Sequence, residues 1–387
     1  MVVMSSGCLV ALLGNIRIDD SGKLELFKVT VSDASRIFEE AHFKIRGRLA
    51  EQAVGLLKSI AFKRLLLYQE LQENDWISAT SEMLESVKAR AVFVYFEDHR
   101  LVATLDTFRS VLEDFEALKL DYLCYSWFRA SQLNSKNVLP FYATETANLV
   151  AVEFDSASIN LLGKISPKCY IFSLVSLVSV KYLKCLLAQE NRNFKLYSRW
   201  GTALASRLFP YPGYRKVFHG LNFFLKRMNV AACIYDPSSP FNLEKMWNEF
   251  SNFDGGLKVG IAKFEMFANY DDDNGAAGES LIKRGLYPFS LEADIRPEDV
   301  STALVRKTIE LSRGQRFDIS YHSAVGRICK PPIVFIRIRS GRAFLKWSDR
   351  EWLMLPGDMR SVYSNKGAAM VADEAAVLEL QIFDELF

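Results

Sequence analysis

The run Ala91-Val92-Phe93-Val94-Tyr95-Phe96 constrains this chain most, because it is apolar at every position and stops abruptly at Glu97-Asp98-His99. An unbroken apolar run of that length suits a strand buried on both faces, as in a parallel sheet covered by helices. Open α/β sheets present their ligand groups at the carboxyl ends of such strands. Two adjacent carboxylates at that edge can hold a divalent metal, and a metal can hold a diphosphate. The segment from Leu24 to Val31 reads the same way, as a second strand that ends in Ser32-Asp33-Ala34-Ser35.

At 387 residues the chain has room for two domains, and half of its residues are apolar, enough for a sizeable core. A net charge of +2 argues against a dedicated nucleic-acid binder, which would carry a strong basic excess. Cys8, Cys124, Cys169, Cys185, Cys233 and Cys329 form no CxxC pair. They read as reduced core thiols of a cytoplasmic protein. Four histidines, all separated in sequence, make a zinc cage improbable. Cys8 to Leu13 is too short for a signal peptide and reads as a first core strand. Tyr170 to Val180 is the most hydrophobic stretch, but flanking lysines cut it short of the roughly 20 residues a membrane span needs. It reads as a buried strand running into a helix.

Strand-like and helix-like patterns alternate from about residue 8 to 130. Ala34 to Leu67 reads as helix, with Phe38, Ala41, Ile45, Leu49 and Ala53 at helical spacing. Leu67 to Val87 reads as a broken helix. Thr104 to Leu118 reads as a helix with Leu105, Phe108, Leu112, Phe115 and Leu118 on one face, and Asp121 to Trp127 as a strand. The alternation predicts a mainly parallel sheet with helices on both faces. After about residue 285 short strands follow one another: Arg316–Tyr321, Ile333–Arg339, Arg342–Lys346, Trp352–Leu355, Met359–Tyr363 and Ala376–Phe383. Their close spacing predicts an all-β sandwich or barrel, helical only at its entry. The expected domains are therefore 1–284, α/β, and 285–387, all-β.

The first domain resembles the GT-A fold of nucleotide-sugar glycosyltransferases. The residues that carry the resemblance are Ser32-Asp33-Ala34-Ser35, the acidic pair in Phe96-Glu97-Asp98-His99, and the basic segment Lys44-Ile45-Arg46-Gly47-Arg48 between them. The resemblance implies transfer of a glycosyl group, of hexosyltransferase type, from a nucleotide-sugar donor to a glycan, polysaccharide or lipid-linked acceptor. It implies that Asp33 and Ser35 contact the nucleoside, that Lys44 and Arg46 lie near the donor, and that Glu97, Asp98 and His99 hold Mg²⁺ or Mn²⁺ at the diphosphate. Glu-Asp-His departs from the Asp-x-Asp of the family. Candidates for the catalytic base are Glu244 and the acids Asp271, Asp272 and Asp273. The last 70 residues resemble a cupin-like β-barrel, through Pro331-Pro332-Ile333-Val334-Phe335-Ile336-Arg337-Ile338-Arg339-Ser340-Gly341 and Leu355-Pro356-Gly357-Asp358. Metal-binding cupins need several histidines, and this segment has only His322, so no barrel metal is expected. Homo-oligomerisation through the β domain is expected instead.

Each of these features has a plainer reading. Glu97 and Asp98 suit a helix N-terminus, and Asp33 suits a helix cap. Asp271 to Asp273, followed by Asn274-Gly275, suit a solvated turn. The aromatic and basic stretch from Phe209 to Lys226 suits a peripheral membrane contact at the inner face, a surface on which sugars stack, or an amphipathic helix closing the domain. The alternative to an enzyme is a non-catalytic carbohydrate-binding or assembly protein with a degenerate transferase domain. A nucleotidyltransferase is disfavoured because no early glycine-rich phosphate loop with Arg and Lys is present.

Overall fold

The computed structural model describes residues 10–69, 76–101, 103–124, 141–154, 174–188, 256–263, 266–270, 304–319, 333–347, 350–363 and 368–383. The first part of the chain forms β1 (Val10–Arg17), α1 (Ser21–Ser35), β2 (Glu40–Arg46), α2 (Ala50–Ser59), β3 (Arg64–Leu67), α3 (Trp76–Glu85), β4 (Ala91–Tyr95), β5 (His99–Leu101), α4 (Leu105–Ala117) and β6 (Tyr122–Cys124). It continues as β7 (Phe141–Glu145), β8 (Leu149–Phe154), β9 (Ser176–Ser179), α5 (Val180–Ala188), β10 (Leu257–Ala262) and β11 (Phe267–Asn269). The rest is β12 (Leu304–Leu311), β13 (Arg316–Ile319), β14 (Ile333–Ser340), β15 (Ala343–Trp347), β16 (Arg350–Met354), β17 (Met359–Tyr363), β18 (Ala368–Ala372) and β19 (Ala376–Phe383).

The architecture is a mixed α/β sheet flanked by helices, followed by an all-β unit. The large sheet runs β12-β19-β14-β17-β7-β8-β10-β6-β9-β4-β1-β2-β3. Only part of it is parallel. β1 lies parallel to both β2 and β4, and β2 to β3. β9 runs antiparallel to β4 and β6, and β8 antiparallel to β10 and β7. The expectation of a mainly parallel sheet thus holds for β1 to β4. Beyond them the sheet is filled by β6, which lies parallel to β10, and by strands from residue 141 onward.

The segment Leu24–Val31, expected as a strand, is the middle of α1. Asp20 caps that helix by accepting from the Lys23 backbone N–H at 2.9 Å. Phe27, Thr30, Val31 and Ala34 then fall on one buried stripe. Residues 34–67, expected as one helix, split into β2, α2 and β3. Of the expected helix over 67–87, only α3 is helical among the described residues. α4 forms as expected, capped by Thr104, whose Oγ1 accepts from the Thr107 N–H. Beneath the end of β4, Phe93 stacks on Phe267 at 4.4 Å between ring centres and on Phe38 at 5.7 Å.

The β unit has two four-stranded antiparallel layers, β12-β19-β14-β17 and β13-β18-β15-β16. Both layers contribute to one aliphatic core, including Val334, Ile336, Ile338, Leu345, Met370, Leu378 and Leu380. β12 and β18 had no counterpart in the sequence reading, nor had β7. The expected boundary at 284/285, and a helical entry to the β unit, lie in residues 271–303, outside the described residues.

The β unit joins the large sheet where β17 pairs with β7, over two registered pairs among the described residues, Arg360↔Tyr142 and Ser361↔Phe141. The outer face of β14, β17 and β19 turns toward the α/β unit, since Phe335 and Met359 belong to the core of that unit. Two fully buried apolar side chains stabilise the contact by about 1.5–3 kcal/mol each. On the same face Arg337 Nε, Ser361 Oγ and Gln381 Oε1 are buried without a hydrogen-bond partner. Each such atom costs about 1–3 kcal/mol.

Candidate functional site

β1 sits between β2 and β4. The chain therefore winds outward on one side through β2 and β3, then crosses back to place β4 on the other. Sheets of this kind bind ligands in the crevice outside the carboxyl ends of the strands where that reversal occurs. Here the reversal brings together the β1–α1 turn, the β2–α2 turn and the residues that follow β4.

The first turn carries Arg17, Asp19, Asp20 and Lys23. Arg17 Nε donates to Asp19 Oδ2 at 2.8 Å. The second turn packs directly on the first. Arg48 donates its backbone N–H to Asp19 Oδ1 at 3.3 Å and its Nε to the Asp19 carbonyl at 3.1 Å. Gly47 has φ +104°, and a Cβ there would lie 2.4 Å from the Ile18 carbonyl oxygen, so the approach of the two turns requires glycine. Burial pushes the Asp19 carboxyl up, but hydrogen bonds from Arg17 and Arg48 outweigh this and hold it below its ordinary value.

Glu97 and Asp98 form a tight turn between β4 and β5, with no helix following them directly. Lys23 Nζ donates to Glu97 Oε1 at 3.0 Å. Burial raises the Glu97 carboxyl above its ordinary value, against the pull of Lys23. Burial alone would lower the Lys23 ammonium, but the Glu97 charge outweighs it and raises it. The Asp98 side chain is 43% exposed, and its Oδ1 lies 2.6 Å from His99 Nδ1. Burial pushes Asp98 up, and the adjacent His99 more than reverses that, so its carboxyl sits below the ordinary range. The turn is stitched from afar: Tyr270 N–H donates to the Asp98 carbonyl at 2.8 Å, and β11 pairs with β5.

Asp33 is not at a strand end. It lies in the last turn of α1, where its Oδ2 accepts from Arg100 Nε at 3.3 Å. Lys23, Thr30 and Asp33 share one stripe of α1, and the 97–100 segment runs along it. Thr30 Oγ1 donates to the Glu97 carbonyl at 3.2 Å. Lys23 and Asp33 are ten residues apart, about 15 Å along a helix, so Asp33 holds the far end of this segment. Ser35 ends α1 and donates to the Ser32 carbonyl. Lys44 is on β2, buried and opposite Asn15 in register, with Arg46 opposite Arg17; both lie within a strand, not in the turn ahead of α2. Glu244, Asp271, Asp272, Asp273, His322 and the stretch from Phe209 to Lys226 lie outside the described residues. Of the six cysteines, Cys185 is partly buried against the core.

Among the described residues no three His, Cys, Asp or Glu side chains gather as metal ligands. Lys23 already supplies the positive charge beside Glu97. Asp98 is half-exposed, with its Oδ1 already paired to His99. Sequence reasoning missed Arg17, Asp19 and Lys23, while Arg48 stood within the basic segment 44–48. The signal available was Asp19-Asp20-Ser21 followed by Lys23, a helix start after an apolar strand.

No protein-family model matches the chain, and no curated protein matches it. Several solved structures share part of it. A conserved protein of unknown function from Streptococcus pyogenes is 20% identical over 22% of this chain and 69% of its own, with a TM-score of 0.18. The cupin domain of a transcriptional regulator from Enterobacter cloacae is 17% identical over 22% of this chain and 99% of its own, TM-score 0.18. A cupin-superfamily protein from Desulfitobacterium hafniense is 16% identical over 22% and 71%, TM-score 0.18. The resemblance to cupin-superfamily proteins is weak and partial. Among the described residues no helix is long and apolar enough to cross a membrane.

Proposed function

We propose that the chain is a glycosyltransferase that binds a nucleotide-sugar donor at the carboxyl edge of β1 and β4, with a GT-A-like α/β unit and a cupin-like β unit. The observation that carries this reading is the reversal of strand order at β1, with charged turns from three strands meeting there. Arg17, Lys23, Arg46 and Arg48 and the amino ends of α1 and α2 lie at this edge, which suits a diphosphate. Asp98 would hold a Mg²⁺ or Mn²⁺ ion together with the phosphates, with Glu97 and His99 beside it. When bound, the ion supplies charge neutralisation for the departing diphosphate. Asp33, expected to contact the nucleoside, sits instead in the last turn of α1, where it anchors Arg100. Glu244 or one of Asp271, Asp272 and Asp273 is the base that deprotonates the acceptor hydroxyl of a glycan or lipid-linked acceptor if the enzyme inverts.

One observation favours a second reading, a non-catalytic carbohydrate-binding or assembly protein. Glu97 and Asp98 are each already engaged, by Lys23 and His99. Titration calorimetry of UDP with and without Mn²⁺ separates the two readings. The enzyme reading expects binding that needs Mn²⁺ and is lost in Asp98→Asn. Absence of any nucleotide binding, with carbohydrate binding retained, supports the second.

A further inference from the structure

Glu145, at the end of β7, stands at the join of the two units, away from the proposed donor site. Its side chain is 8% exposed and pairs with Lys263 of the α/β unit and with Arg306 and Arg337 of the β unit. Gln381 also donates to it. One row over, Glu379 pairs with Arg339 and accepts from Gln381 Nε2 at 3.1 Å. Cross-strand register places Arg306, Gln381, Phe335 and Ser361 in one row, and Thr308, Glu379, Arg337 and Met359 in the next. A face that covers another unit is usually apolar at its centre; this one is largely polar and leaves three buried atoms unpartnered. By contrast, β12 and β19 pair over eight positions and β14 and β17 over five, against two for β17 and β7.

We propose that Glu145 is a latch, and that neutralising it lets the β unit undock from β7 as a body while both units stay folded. The charge set makes this specific. Without the carboxylate, Lys263, Arg306 and Arg337 are three like charges around one point, facing Glu379, which is already engaged by Arg339. Among the described residues the backbone pairing across the join is the short β17–β7 ladder, and apart from Phe335 and Met359, which undocking exposes, each unit keeps a core of its own.

The test is hydrogen exchange on the full chain, resolved by residue, together with the radius of gyration from solution scattering. In Glu145→Gln the amides bridging residues 141–142 and 360–361 should lose protection at least tenfold, with a larger radius. β1, β4, β14 and β19 should keep wild-type protection. Equal loss across all of these strands means that the charges only add global stability and overturns the latch; so does unchanged protection at the join. Arg306→Gln, which removes a half-exposed cation of the same cluster, is the second variant, to be used if Glu145→Gln does not fold. It should loosen the same amides by a smaller factor and no others, and any other pattern overturns the proposal.

Discussion

The Lys23 ammonium stands 3.0 Å from Glu97 Oε1, joining the first turn of α1 to the turn that follows β4. This contact crosses the crevice where strand order reverses, so one lysine both closes the edge and sets its charge. Glu97 is nearly buried while Lys23 is half-exposed, so the carboxylate depends on the pair more than the ammonium does.

Lys23→Met should therefore destabilise the protein by about 1–3 kcal/mol, the cost of leaving a buried acceptor unsatisfied. Glu97→Gln should cost less, because the amide oxygen still accepts. Thermal unfolding of the two variants decides this; a larger loss in Glu97→Gln would refute the asymmetry.

Gly47→Ala should be destabilising by about 1–3 kcal/mol, since φ is positive and the new methyl would meet the Ile18 carbonyl. The displaced turn also carries Arg48 away from Asp19. Diphosphate affinity should fall together with the melting temperature, and a variant with wild-type values of both would show that the two turns move independently.

Glu97 and Glu145 should give opposite pH responses. Burial raises Glu97 in the folded state, so its penalty is fully present above that raised value and is relieved as pH falls through it. Burial also pushes Glu145 up, but hydrogen bonds from Lys263 and Gln381 and the charges of Lys263 and Arg337 prevail and hold it below the ordinary value. Its stabilisation is present above the ordinary glutamate value and is lost as pH falls through the lower folded one. Melting curves from neutral to acid pH should show Glu97→Gln removing a gain at mildly acid pH, and Glu145→Gln removing a loss at more acid pH. Identical curves for wild type and both variants would contradict both signs.

Deleting residues 304–387 removes Phe335 and Met359 from the α/β core and strips Arg306 and Arg337 from Glu145. The shortened chain should unfold at a lower temperature than the full chain, as read by circular dichroism. An unchanged midpoint would mean that the contact between the units contributes nothing.

How much of this was legible is clearest residue by residue. The buried strand at 91–95 and its acidic turn were readable, because an unbroken apolar run has few other places to go. α4 was readable because its apolar positions repeat at helical spacing over more than three turns. Residues 34–67 misled for a definite reason: a spacing of four is even, so Ala41 and Ile45 share a face of a strand as well as of a helix. Leu24–Val31 misled because its β-branched and alternating residues suit a strand, while the Asp20 cap and the stripe Phe27-Thr30-Val31-Ala34 suit a helix, and packing on the sheet chose the helix.

The sequence by itself determined that the chain is an α/β part followed by an all-β part, and that acids sit where a buried strand ends, since both follow from local patterns of burial. Which groups meet those acids was decided only in three dimensions. Lys23 reaches Glu97 across 74 positions, Arg100 reaches Asp33 across 67, and Arg306 reaches Glu145 across 161. No local pattern encodes such pairings. They arise when strand order, set by burying apolar faces over the whole sheet, brings remote turns to one edge.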